Sequence, residues 1–288
     1  MELQLKDISK KYGSLTALRE FNFAFREGVY GLLGPNGAGK STLMNIITNN
    51  MLPSTGEVSA DGVNIVRLGV KYLKKIGYVP QQQNLYPTFS GNRFLYYMAA
   101  LKGIRKEDAG REIPGILEQL NLSEYANKKI GDYSGGMKQR LLIAQSLLGS
   151  PRILIMDEPT VGLDPEERIH IRNIISRIST NKIVIYATHV VSDVETIAEK
   201  ILLLKKGRLV TAGLTDALLE RMKPYVFEVE AGADQLEGLE QEYRIGNIAK
   251  AEGGRFCVRL VGEHPPQNMD YIVPRPSLED AYLYEFGK

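Results

Sequence analysis

The sequence predicts an α/β fold: a parallel sheet as the core, with a helical stretch inserted between two of its strands. Three observations carry this expectation. The runs "VYGLL" (Val29 to Leu33), "IGYVP" (Ile76 to Pro80), "RILIMD" (Arg152 to Asp157) and "KIVIYATH" (Lys182 to His189) are continuously apolar and β-rich rather than alternating, as expected of strands buried on both faces. The first of them passes directly into "GPNGAGKSTLMNIIT", which is glycine-rich and then helical in period, so strand, loop and helix follow in order. Between the second and third lies a polar stretch, roughly residues 83–150, with Leu95, Met98 and Leu101, then Ile116, Leu117 and Leu120, at helical spacing.

The remaining elements follow in chain order. Near the start, "LQLKDISKKYG" alternates, and Phe21, Phe23 and Phe25 in "FNFAF" fall on one face at period two, both signs of β structure. After Gly213 the composition shifts. "GLTDALLERM" reads as a short helix, and "YVFEVEA" and "RFCVRLVGE" read as strands, the latter entered through the turn signal Gly253-Gly254. The ending "RPSLEDAYLYEF" reads as a helix with Ser277 at its N-cap and Asp280 three positions on, where a capping-box acid belongs. These signals divide the chain into a principal domain, residues 1–213, and a small α+β C-terminal extension, residues 214–288. No internal duplication is visible, so one phosphate loop is expected.

Composition bounds the chemistry. At 288 residues a large core is easily buried, and 36 Lys plus Arg against 34 acidic residues leave no net charge to draw the whole molecule to nucleic acid or anionic lipid. A single Cys257 excludes an intramolecular disulfide and, with three histidines, argues against a structural zinc site. A reducing, intracellular setting fits. Residues Met1 to Lys11 show no secretory pattern, and runs such as Phe94 to Leu101 fall short of the ~18 to 20 apolar residues a bilayer crossing needs. A soluble chain is expected, with any membrane role reached through a partner.

Gly34, Gly39, Lys40 and Ser41 satisfy G-x-x-x-x-G-K-[ST] with a strand before and a helix after. The backbone N–H groups of Asn36, Gly37, Ala38, Gly39 and Lys40 are expected to cradle phosphate oxygens, with Lys40 bringing a point charge, Ser41 a Mg²⁺ ligand, and Thr42 following in the loop. At the carboxyl end of "ILIMDE", Asp157 is placed to hold Mg²⁺ through water and Glu158 to orient or deprotonate an attacking water. A second anion-binding pattern follows Tyr133, where Ser134, Gly135 and Gly136 precede a long amphipathic run. By residues alone, Ser134 as an ordinary N-cap is an equal reading.

"GPNGAGKST", "GYVPQQQNLYP", "YSGGMKQR", "ILIMDEPTVGLD" and "ATH", in this order, resemble the ATP-binding subunit of ABC (ATP-binding cassette) transporters over roughly Leu3 to Gly213. The resemblance implies a P-loop NTPase fold with an α/β core, an antiparallel β subdomain and an inserted helical subdomain, binding ATP with Mg²⁺. It implies that two copies pack head to tail and that Ser134, Gly135 and Gly136 of one cap the γ-phosphate held by the other. Tyr12 matches the aromatic that stacks on adenine, although it also reads as a strand aromatic. Gln81 matches the glutamine that reaches Mg²⁺ and water, with Gln82 and Gln83 leaving its register open. Asp164 matches the loop facing the opposite copy, and His189 the switch histidine on the γ-phosphate.

The signature departs from the family's Leu-Ser-Gly-Gly-Gln at Tyr133 and Met137, which puts any ribose contact by the lost Gln in doubt. With Lys40, Asp157, Glu158 and His189 present, the implied function is ATP hydrolysis driving transport through membrane-spanning permease subunits on separate chains, at the cytoplasmic face of the membrane. "NRFLYYMAALKG" and "PSLEDAYLYEF" resemble the ABC-2-type branch, which points to export. The alternatives are a soluble ABC ATPase acting on ribosomes or DNA, or an ATP-binding regulator that hydrolyses poorly. One cassette, no room for a coiled-coil arm between Lys40 and Ser134, and near-neutral charge all weigh against nucleic acid.

Overall fold

The four continuous apolar runs lie side by side in one sheet of the computed structural model, which describes residues 1–81 and 85–287. The register choices at Gln82 and Gln83 lie outside the described residues. The chain clusters into two compact units, Met1–Val210 and Thr211–Lys288.

The first unit opens with β1 (Leu3–Tyr12), β2 (Leu15–Phe25), β3 (Gly28–Leu33) and α1 (Lys40–Ile47). Next come β4 (Thr55–Ala60), β5 (Val63–Asn64), the single turns α2 (Ile65–Leu68) and α3 (Val70–Leu73), and β6 (Ile76–Val79). Three helices follow, α4 (Gly91–Leu101), α5 (Lys106–Gln119) and α6 (Gly135–Leu147). The unit closes with β7 (Ile153–Asp157), α7 (Pro165–Ile178), β8 (Ile183–Thr188), α8 (Val191–Glu195), β9 (Lys200–Lys205) and the start of β10 (Arg208–Leu214).

The central sheet has the order β10-β9-β3-β8-β7-β6, and β9 through β6 run parallel. Burial on both faces explains the unbroken apolar runs: every residue of β7 and β8 is buried. The strand order places the carboxyl ends of β3, β8 and β7 next to one another, although they are far apart in sequence, and this is where α/β sheets hold ligands. A second, antiparallel sheet, β2-β1-β4-β5, shares its core with the first. Phe25 meets Tyr30 edge-on at 4.9 Å, and Leu3, Leu5, Phe21, Leu32 and Ile155 belong to the same buried cluster. The Tyr72 hydroxyl is buried there and donates to Ile47 O at 2.7 Å.

The inserted segment folds as helices α4 to α6. Ser90 caps α4 by accepting the Arg93 N–H at 3.2 Å. The buried stripe of α4 is Gly91, Phe94, Leu95 and Ala99, so of the expected Leu95–Met98–Leu101 face only Leu95 is buried, and Leu101, at the last residue of the helix, is 65% exposed. Ile116, Leu117 and Leu120 are all buried as expected. No described helix is long and apolar enough to cross a membrane.

The second unit contains α9 (Thr215–Met222), β11 (Val226–Ala231), α10 (Leu236–Glu242), β12 (Arg244–Lys250), β13 (Phe256–Val261), β14 (Tyr271–Ile272) and α11 (Leu278–Phe286). Its sheet has four strands in the order β12-β13-β11-β14, of which the sequence signals β11 and β13. β12 is exposed along most of its length and β14 spans two residues, so neither carries an apolar alternation. The Ser277–Asp280 capping box at the start of α11 is present as expected.

Candidate active site

The loop between β3 and α1 delivers its backbone to the sheet's carboxyl edge because of two glycines with different tasks. Gly39 takes φ 108°, a left-handed conformation costly for other residues, and caps α1 without a side-chain bond. A Cβ on Gly34 would lie 2.3 Å from Leu204 O, so this glycine lets the loop pass against β9. The first turn of α1 carries no acidic residue. Its free N–H groups and the helix dipole therefore present an unneutralised positive end.

Lys40 is buried, and its Nζ donates to Gly34 O at 2.5 Å and Pro35 O at 3.3 Å. Burial holds its pKa below the usual lysine value, opposed by the charges of Glu158 and Asp157. Asn36, Gly37, Ala38, Gly39, Lys40, Ser41 and Thr42 line one cleft of about 520 Å³ together with Tyr12, Gln81, Asp157 and Glu158, a volume suited to a nucleotide. A larger groove, about 970 Å³, runs past Glu27, Glu112, Arg152 and Lys182 and is reached by none of the described motif residues.

Asp157 ends β7, buried, at the cleft that Ser41 also lines. Burial and then the Glu158 charge push its pKa up to about 6, against the pull of Lys40 and Ser41. Two adjacent buried acids thus face a lysine whose protons go to carbonyls, and the nearby donors are hard oxygens of the kind that suit a small divalent cation.

Glu158 turns back toward β8. Its backbone is left-handed, φ 50°, and its N–H donates to Ala187 O at 2.9 Å. The carboxylate accepts from Thr188 Oγ1 at 2.8 Å, His189 N at 3.1 Å and His189 Nδ1 at 2.8 Å. An ionised carboxylate only accepts, so Nδ1 carries the imidazole proton. Thr188 lies inside "ATH", and its buried hydroxyl is a donor to Glu158 that no sequence signal marks. Lys206, also at the cleft, sits in a left-handed turn with Gly207 and had no motif to signal it.

Tyr12 stands 44% exposed at the cleft, its hydroxyl 2.9 Å from Met51 Sδ and the Lys10 ammonium 5.5 Å from its ring centre. Gln81 is exposed at the same cleft.

The second anion pattern does not line this cleft. Ser134 caps α6, its Oγ accepting the Met137 N–H at 3.1 Å, and the first turn again has no acid. Asp164 caps α7 through the Glu167 N–H at 2.9 Å. The two helix starts touch: a Cβ on Gly135 would lie 3.7 Å from Leu163 Cδ2, and one on Gly136 only 2.1 Å from Glu167 Oε2. Glu167 is held by Arg140 at 3.5 Å. Tyr133, the larger residue at the start of this signature, is buried and donates its hydroxyl to Tyr125 O at 2.7 Å. It fits because residue 91 is glycine, where a Cβ would be 2.3 Å from the Tyr133 hydroxyl.

A glycine loop entering a helix without a side-chain cap, a buried lysine, and an Asp-Glu pair at the end of a nearby parallel strand define a nucleotide-binding P-loop ATPase. Comparison with known proteins narrows the class. Residues 18–161 match the ABC transporter family model. The linearmycin resistance ATP-binding protein LnrL of Bacillus subtilis is 36% identical over 222 residues, 76% of this chain and 71% of that protein. The Nod factor export ATP-binding protein I of Rhizobium johnstonii is 35% identical over 298 residues, 99% and 95% of the two chains. Among solved structures, the dimeric post-hydrolysis state of the cassette MJ0796, bound to ADP and Pi, superposes with a TM-score of 0.65 at 29% identity, covering 74% of this chain and 98% of that one. The chain belongs to the ABC transporter family, and it is an ATP-binding subunit with ATPase activity.

Proposed function

We propose that two copies of this chain close head to tail on ATP, hydrolyse it at Glu158, and drive export through membrane-spanning subunits on separate chains, at the cytoplasmic face of the membrane. The observation that carries the hydrolytic part is the Glu158 carboxylate: buried, at the sheet's carboxyl edge, and pinned by Thr188 and His189. A carboxylate has about four acceptor positions. Three are filled here by the Thr188 and His189 donors, which leaves one for a water.

In the proposed reaction Glu158 takes a proton from water as its oxygen bonds to the γ-phosphorus and the bond to the leaving oxygen breaks, giving ADP and phosphate. The loop N–H groups and Lys40 hold the phosphates, and Tyr12 offers its ring to the adenine. Ser41 and Asp157, with Gln81, would hold Mg²⁺, which supplies charge neutralisation at the β- and γ-phosphate oxygens. The α6 N-terminus at Ser134, Gly135 and Gly136, which lies away from its own cleft, would cap the other copy's γ-phosphate, with Asp164 beside it. Export rests on the names of the resistance and Nod factor relatives, and nucleic acid has no part in it.

The test is the solution mass of Glu158→Gln with and without MgATP, beside Glu158→Gln/Ser134→Arg. The expected result is a doubling on MgATP that the Ser134 change abolishes, with turnover in Glu158→Gln slowed by about 10² to 10⁴ fold. Doubling that survives Ser134→Arg would refute capping across the dimer.

A further inference from the structure

In the first unit, one carboxylate away from the cleft is completely buried and has no part in the chemistry above: Asp193, on α8. Its Oδ1 accepts from Arg168 Nη2 at 2.9 Å, with Arg172 Nη1 behind at 3.9 Å. Its Oδ2 accepts from the Thr160 hydroxyl. Because Thr160 donates there, its Oγ1 is left to accept from the Tyr186 hydroxyl, 3.1 Å away. Thr160 and Tyr186 are themselves buried.

The three segments that meet at this carboxylate are the segments that carry the proposed site. Thr160 lies two residues beyond Glu158, Asp193 four beyond His189, and Arg168 four beyond Asp164. Among the described residues, the three bonds to the Glu158 carboxylate come from residues 188 and 189, and the pairing of β7 with β8 ends at the bond from Glu158 N to Ala187 O. Beyond that point, the bond from Thr160 to Asp193 ties the chain after Glu158 to the chain after His189.

We propose that Asp193, acting through Thr160 and Arg168, is a positioning residue for ATP hydrolysis: it clamps these segments so that Glu158 and His189 meet in one geometry. The inference rests on the roles proposed above for Glu158 and His189. Apolar side chains of equal volume would fill the same space with less desolvation. A hydroxyl–carboxylate–guanidinium chain adds direction, because hydrogen bonds weaken steeply when misaligned, so α8 resists sliding where an apolar contact would not. A shift of about 1 Å at reacting groups lowers rates by about 10² fold, so such a clamp acts on turnover rather than on nucleotide affinity.

The experiment compares Thr160→Val, which keeps the shape and loses the hydroxyl, with Thr160→Ser, which keeps the hydroxyl, and with Asp193→Asn. The full chain is assayed for kcat and KM with MgATP, and the imidazole ¹⁵N resonances of His189 are recorded without nucleotide, the chain having only three histidines to assign. Expected are a kcat lowered about 10- to 100-fold in Thr160→Val and Asp193→Asn with KM within about twofold, and shifted His189 resonances in both. Thr160→Ser should keep kcat within about threefold and the His189 resonances in place. The double variant Thr160→Val/Asp193→Asn should be no slower than the slower single, since both break one chain. Normal kcat in Thr160→Val, equal damage in Thr160→Ser, or lost kcat with unmoved His189 resonances would each overturn the clamp. Failure of the catalytic reading would show separately, as undiminished kcat in Glu158→Gln, because the His189 resonances report the clamp without turnover.

Discussion

Replacing Asp157 by Asn should stabilise the nucleotide-free, metal-free protein while removing its activity. In the folded chain the Asp157 carboxyl is pushed up to about 6 from an ordinary 3.8. A shift of this size corresponds to roughly 1 to 3 kcal/mol once screening by solvent at the open cleft is allowed for. The folded state holds this proton longer than the unfolded state does, so stability falls as pH rises from about 4 to 6, and above 6 the whole cost of the buried charge is present. Asn has no such cost. Wild type and Asp157→Asn would be unfolded in urea with EDTA between pH 4 and 7.5, following the first unit. We expect Asp157→Asn to be the more stable by up to ~3 kcal/mol at pH 7, with the gap closing toward pH 4. MgATP should reverse the order, since only wild type gains stability from the bound ligand. Equal stabilities at pH 7, or the wild-type pH slope retained in Asp157→Asn, would show that burial and the Glu158 charge do not dominate at this carboxyl.

Gly136→Ala should destabilise the first unit by ~1 kcal/mol, because its Cβ pushes the Glu167 carboxylate aside and away from Arg140, 3.5 Å from it; Gly136→Ala/Glu167→Ser should regain most of that in a thermal melt. Lys102 donates to Gln145 O, Ser146 O and Leu148 O near the end of α6, and burial lowers its pKa to about 8 from 10.5, opposed by Glu112. The unfolded state therefore binds more protons from pH 8 to 10.5, stability rises with pH there, and Lys102→Met should flatten that slope in urea titrations. In the second unit, Arg259 donates to the buried Asp280 at 2.8 and 2.7 Å. Arg259→Ala should cost ~3 kcal/mol by stranding that charge, and Arg259→Ala/Asp280→Asn distinctly less, both read by urea unfolding.

The parallel core was legible because burial on both faces leaves continuous apolar runs, and the phosphate loop because its spacing is imposed by one anion. Long, capped elements such as α11 announced themselves through Ser277 and Asp280. What stayed hidden lacked local signals. β12 is solvent-facing and β14 is two residues long, so no alternation marks them. Tyr86 and Phe89, in the loop before α4, stack 5.0 Å apart and meet Tyr97 of α4 edge-on, contacts that a count of aliphatic spacing overlooks. The reason for Gly91 is the Tyr133 hydroxyl, a partner more than forty residues away. The Thr188 bond to Glu158 and the whole Asp193 cluster depend on β8 lying beside β7, a fact of topology rather than of any one segment.

Glu158 occupies a left-handed backbone position that Gly or Asn would adopt with less strain, and its charge lies beside that of Asp157. Relief of strain of about 1 kcal/mol or more and removal of one of two neighbouring buried acids point the same way. Gly at 158 would leave the buried Thr188 hydroxyl without its acceptor, whereas Asn keeps an acceptor oxygen and removes the charge. A variant library sorted for heat resistance alone would therefore enrich Asn at 158 and discard the proposed base. Thermostabilised versions of this chain need a screen that scores ATP turnover in parallel, or position 158 held constant from the first round.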